Sequence, residues 1–158
     1  MTRILVDADA CPVRGEVIRV AGRLGCDVVL VSNGSRPIRP PEEAFVSQVI
    51  VAEGADAADD WIAEQATPAD VVTTADIPLA ARALAKGARA LDWEGHDWTA
   101  DNIGGALAGR AAAQAVRESA AARGGPEHGP SAMSPADRSR FLDALDRAVH
   151  AARRGPAR

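Results

Sequence analysis

Between residues 3 and 92 the chain alternates short β-branched runs with segments of helical spacing, a pattern that few architectures can accommodate. "RILVD" (3–7), "DVVLVS" (27–32), "FVSQVIVA" (45–52), "DVVTTA" (70–75) and "ARALD" (88–92) read as strands. "VRGEVIRVAGRLG" (13–25), "DAADDWIAEQA" (56–66) and "IPLAARALAKG" (77–87) read as helices, the first and third stopped by Gly25 and Gly87. "NGSRPIRPPEE", after the second strand, is too rich in Gly and Pro to be regular. Strands separated by helices imply parallel pairing through right-handed crossovers. The expected fold is therefore α/β: an open, mainly parallel five-stranded sheet of order 3-2-1-4-5, with helices on both faces.

Strands stop after residue 98. Thr99 and Asp101 are candidate caps for an Ala-rich helix running to about residue 123, and "ARGGPEHGPSAM" (122–133) reads as a Gly/Pro loop. In residues 134–154, Ser134 is placed as N-cap, Pro135 at N1 and Asp137 at N3. Phe141, Leu142, Leu145 and Val149 then recur at helical spacing. One domain over residues 1–158 is expected, an α/β body of about 1–98 with C-terminal helices over about 99–154.

At 47% hydrophobic residues the composition is that of a globular chain. No apolar run approaches the roughly 20 residues that span a bilayer. The opening residues lack the basic region, apolar core and cleavage site of a secretory leader, so a cytoplasmic location away from membranes is expected. Cys11 and Cys26 flank a helix of about a dozen residues, too long for a disulfide to close. The net charge of -4 is uneven: residues 1–98 carry -7 and residues 99–158 carry +3. Such a tail is far weaker than a nucleic-acid-binding stripe.

In an open parallel sheet ligands bind outside the carboxyl ends of the strands, where strand order reverses. Asp7 and Asp9 follow the first strand, Asp76 follows the fourth, and Asp56, Asp59 and Asp60 open the helix after the third. All arrive at one edge. Like charges gathered there repel, so either some are protonated or a divalent cation lies among them. Oxygen donors without His or Cys favour Mg²⁺ or Mn²⁺ over zinc. Each aspartate also has a purely structural reading: Asp9, Asp56 and Asp76 as helix caps, and Asp59 as an N3 acid complementing the helix dipole.

Other candidates are weaker. Ser32 and Asn33 end the second strand, where they suit a ligand or an ordinary turn; Arg36 and Arg39 follow in the loop, within reach of a phosphate. Cys11 precedes a helix N-terminus, which lowers a thiol pKa, although a packed small residue is the simpler reading. Trp61 and "WEGHDW" (93–98) offer aromatic surface for base stacking or for core packing. The helix over 100–123 is a candidate face for self-association.

Taken together, "VDADACP", "VSN", "GADAADDWI", "TADIPLA", "KGA", "WTADNI", and a late "GGP" followed by "DRSRF" resemble the YaiI/YqxD family of bacterial proteins over almost the whole chain. That family has a PIN-like domain and no established activity. The resemblance implies kinship with PIN-type nucleases, which cut RNA with an acidic Mg²⁺ or Mn²⁺ cluster. It places Asp7, Asp59 and Asp76 at the acidic positions after strand one, in the helix after strand three, and after strand four. Asp9 and Asp56 belong to the family's own pattern, Asp60 is a local addition, and Trp98 stands where the family carries tyrosine. Arg138, in "DRSRF", is a candidate phosphate contact if the last helix folds back over the site. The resemblance thus implies Asp7, Asp9, Asp59 and Asp76 as catalytic residues, with Asp56 joining them as a metal ligand.

Two other classes stay open. "VDADA" and "VSNG" also resemble the first two motifs of haloacid-dehalogenase-type phosphatases, which need a lysine beside the phosphate. The sole lysine, Lys86, falls at the opposite end of the sheet. A module that binds metal or RNA without cutting would suit the acidic body.

Overall fold

The computed structural model describes residues 2–8, 11–34, 41–51, 56–109 and 133–154. The elements run β1 (Arg3–Asp7), α1 (Arg14–Leu24), β2 (Asp27–Ser32), β3 (Val46–Ile50), α2 (Ala57–Gln65), β4 (Val71–Thr73), α3 (Ile77–Ala85), β5 (Arg89–Leu91) and β6 (Asp97–Trp98). Helix α4 then occupies residues 100–109 and α5 runs Pro135–Arg154. The sheet has the order β3-β2-β1-β4-β5-β6, so the expected arrangement holds and gains a sixth strand. β1 through β5 pair in parallel, whereas β6 is antiparallel to β5, with Ala90 opposite Trp98 and Leu91 opposite Asp97.

Strand alternation divides the core. Ile4 and Val6 of β1, with Val28 and Leu30 of β2, face α1 and α5, where Val17, Phe141, Leu145 and Val149 complete one cluster. Leu5, Val29, Val31 and Val72 face the other way, onto Ile62 of α2 and Leu79 and Ala83 of α3. These runs are apolar on both faces because both faces are covered.

Local chemistry sets the helix ends. Gly25 closes α1 at φ 70°, a left-handed conformation that costs glycine nothing. α5 opens on a reciprocal capping box: Asp137 N–H donates to Ser134 Oγ at 3.1 Å and Ser134 N–H donates to Asp137 Oδ2 at 3.1 Å. At α4 the cap is Thr99, one of the two candidates, and Asn102 rather than Asp101 completes the box, since only the N3 side chain can reach back to the cap N–H. The expected continuation of α4 to residue 123 and the loop over 122–132 lie outside the described residues. Beneath the sheet, at the amino ends of the strands, buried Asp70 accepts from Arg3 Nη2 at 2.8 Å, Arg3 Nε at 3.1 Å and Thr67 N–H at 3.0 Å.

Candidate active site

The carboxyl end of β1 sets the position of the first acid. Because Leu5 faces α2 and α3, Asp7, two residues on, points to the same side. Helices α2 and α3 both start there, bringing Asp56 and Asp59 from one and Asp76 from the other. Asp76 caps α3: its Oδ1 accepts Leu79 N–H at 3.0 Å, as its structural reading anticipates. Asp56 occupies the cap position of α2 without a side-chain capping bond, so capping does not account for its carboxylate.

The aspartates sense one another. The Asp59 carboxyl is pushed up to about 7, first by burial, then by the charges of Asp76 and Asp7, a hydrogen bond to Asp76, and the charge of Asp56. Asp59 therefore holds its proton up to near neutrality, one of the two ways like charges can be held together. Asp60 does not join them; it pairs with Arg82 at 2.8 Å on the exposed side of α2 and α3. Thr74 is a participant that sequence reasoning missed. Its hydroxyl donates to Asp7 Oδ2 at 2.9 Å while its oxygen accepts Asp76 N–H at 3.0 Å. The signal was present in "TTAD", a hydroxyl two residues before a capping aspartate.

Arg138 lies at the start of α5, bonded to Glu16 Oε1 at 2.9 Å and to the Pro12 carbonyl at 3.2 Å. It packs α5 onto the start of α1, its guanidinium engaged by a carboxylate. Ser32 is 1% exposed, and its Oγ is sealed from water without a partner. By alternation from Val28 and Leu30 it lies on the α1 side of the sheet, across from Asp59 and Asp76. Asn33 follows, half-buried. Asp9, Arg36 and Arg39 lie outside the described residues.

Cys11 runs against the expectation of a lowered pKa: burial, with the nearby charges of Asp7 and Glu16, pushes its thiol up to about 11. It packs against the α1-side core, in line with the simpler of its two readings. Trp61 and Trp98 pack on the α2/α3 side of the core and Trp93 on the α1/α5 side. Lys86 is the C-cap of α3, at the end of the sheet away from Asp7, so it brings no cation to the carboxylates.

Among the described residues, one group of three metal-capable side chains has its ligand atoms all within 4.8 Å of one another: Asp92, Glu94 and His96. This group also went unread in the sequence, although its alternate spacing is plain in "DWEGH". The turn itself explains it. Asp92 Oδ1 accepts the N–H groups of Glu94 and His96, both at 2.9 Å, and Oδ2 lies 2.7 Å from His96 Nδ1.

Fold and site define an α/β protein with a largely parallel sheet, whose strand-order reversal carries an aspartate cluster drawn from three chain segments. The family model described as "Uncharacterized BCR, YaiI/YqxD family" matches residues 5–151, and the chain belongs to that family. It is similar to the UPF0178 protein of Parvibaculum lavamentivorans, 53% identical over 156 residues and 99% of each chain. It is also similar to a UPF0178 protein of Rhodospirillum centenum, 49% identical over 155 residues, 98% of this chain and 99% of the relative. A third relative, from Caulobacter sp. strain K31, is 50% identical over 98% of each chain. No solved structure gives a significant match. No helix among the described residues is long and apolar enough to cross a membrane.

Proposed function

We propose that this protein is a divalent-metal-dependent nuclease that hydrolyses phosphodiester bonds in RNA. The observation that carries the reading is the meeting of Asp7, Asp59 and Asp76, from three separate segments, on one side of the sheet at the reversal of strand order. Carboxylate oxygens alone fit a hard cation, and a cation would relieve the crowding of charge that raises Asp59. Asp7, Asp59 and Asp76 would hold Mg²⁺ or Mn²⁺, with Asp9 and Asp56 completing or orienting the set. When bound, the ion supplies Lewis acidity to the phosphoryl group and to its attacking water.

The chain's own residues do the positioning. Thr74 fixes the Asp7 carboxylate by its hydroxyl bond and holds the start of α3 through Asp76 N–H. Asp76, tied to Leu79 N–H by one oxygen, keeps its other oxygen for Asp59 or a cation. Asp59, titrating near neutrality, is suited to take up or release a proton at its carboxylate oxygen.

The test is isothermal titration with Mn²⁺ on the wild type, Asp7→Asn and Asp76→Asn, followed by incubation of each with single-stranded RNA. Binding and cleavage that vanish in both variants support the reading. Cleavage that survives in Asp7→Asn refutes the assignment, and RNA binding without cleavage under either metal favours the non-catalytic module.

A further inference from the structure

We propose that Arg89, Arg147 and Arg154 form a phosphate-binding site on the α5 side of the sheet, separate from the aspartate cluster. A cavity of about 380 Å³ opens there between α5 and the β5–β6 edge, lined by these three arginines together with His150, Asp97 and Asp146. Arg89 is the anomaly. It stands on a strand rather than on a solvated helix face, and its Nε is sealed from water with no hydrogen-bond partner. A half-buried guanidinium is normally matched by an acceptor.

None of the three arginines forms an ion pair or donates a side-chain hydrogen bond among the described residues. Of the two acids present, Asp146 is already engaged, by Arg23 at 2.6 Å and His150 at 3.2 Å. That leaves Asp97 facing Arg89 and Arg147, and an excess of positive charge gathered in one cavity of a chain whose net charge is -4. Guanidinium forks match the oxygens of a phosphate group in charge and in planar geometry. The phosphate arrives either as a free ion or small phosphorylated compound, or within a nucleic-acid backbone.

The probe is pyrophosphate, titrated in chelator at low salt into isotopically labelled protein and followed by amide resonances. Perturbation centred on β5, β6 and the second half of α5 is expected, with affinity at least about tenfold weaker in Arg147→Gln/Arg154→Gln. Both residues lie on an exposed helix surface, so the double variant should melt like the wild type. Perturbation elsewhere only, or equal affinity in the double variant, overturns the proposal. A short single-stranded oligoribonucleotide then separates the sources. If it displaces pyrophosphate, and the salt slope of its binding falls by roughly 1 to 1.5 in the double variant, the ligand is a nucleic-acid backbone. If pyrophosphate stays in place, the site stands with a free phosphate as its ligand. Neither arm uses a divalent cation or turnover, so this site and the nuclease reading can fail independently.

Discussion

The Thr74 hydroxyl donates to Asp7 Oδ2 at 2.9 Å while the same oxygen accepts Asp76 N–H at 3.0 Å, so one buried side chain links the ends of β1 and β4 to the start of α3. Thr74→Val keeps the shape and removes both bonds. It leaves Asp76 N–H short of an acceptor, and the expected loss is about 1–3 kcal/mol by urea denaturation. Mn²⁺ affinity should fall about tenfold or more as Asp7 loses a bond that orients it. Thr74→Ser should recover most of both.

Asp76 has two roles that substitution can separate. Asparagine still caps α3, so Asp76→Asn should match or exceed wild-type stability while losing Mn²⁺ binding. Asp76→Ala loses the cap as well and should cost about 1 kcal/mol. Paired thermal melts and titrations on the two variants read the roles apart.

Asp59 makes stability fall as pH rises. Its carboxyl titrates near 4 in an unfolded chain and near 7 in the fold, so between those values the folded state holds the extra proton. The metal-free protein should therefore lose melting temperature from about pH 4 to pH 7 and level off above. Asp59→Asn should flatten that slope and melt higher than wild type at pH 8. Mn²⁺ binding should strengthen over the same interval, because the ion displaces the proton. Calorimetry and titration across pH 5 to 8 check both.

Gly95 has φ 91°, and a Cβ there would lie 2.8 Å from the Arg140 carbonyl oxygen. The turn before β6 thus rests directly on the backbone of α5. Gly95→Ala should destabilise the protein by about 1–3 kcal/mol from backbone strain alone, and by more once the clash is relieved. Denaturant unfolding measures the loss.

The parallel body was legible because its strands are buried on both faces and its helices carry ordinary stop signals, such as Gly25. β6 was not. Two residues have no periodicity, and Asp97–Trp98 becomes a strand only through its pairing with Ala90 and Leu91. Asp7, Asp59 and Asp76 could be placed on one edge because their positions follow from strand and helix ends, which the pattern gives, whereas the pairing of Asp60 with Arg82 could not. Thr74 and Arg138 depend on distances across the fold, and spacing along the chain carries none of that information. Cys11 packs as its simpler reading expects, but its lowered pKa failed for a related reason: the helix end was visible, whereas the burial and the Asp7 charge that raise the thiol were not.

The core on the α1 side of the sheet is finished by Phe141, Leu145 and Val149, all fully buried, although every parallel strand is complete by Leu91. On the ribosome, Ile4, Val6 and Leu30 therefore wait, covered on that side by α1 alone, for the last stretch of the message to be translated. A transcript truncated before the codon for Phe141 would yield a chain with its sheet assembled and one apolar flank only half covered, a natural client for chaperones or proteases.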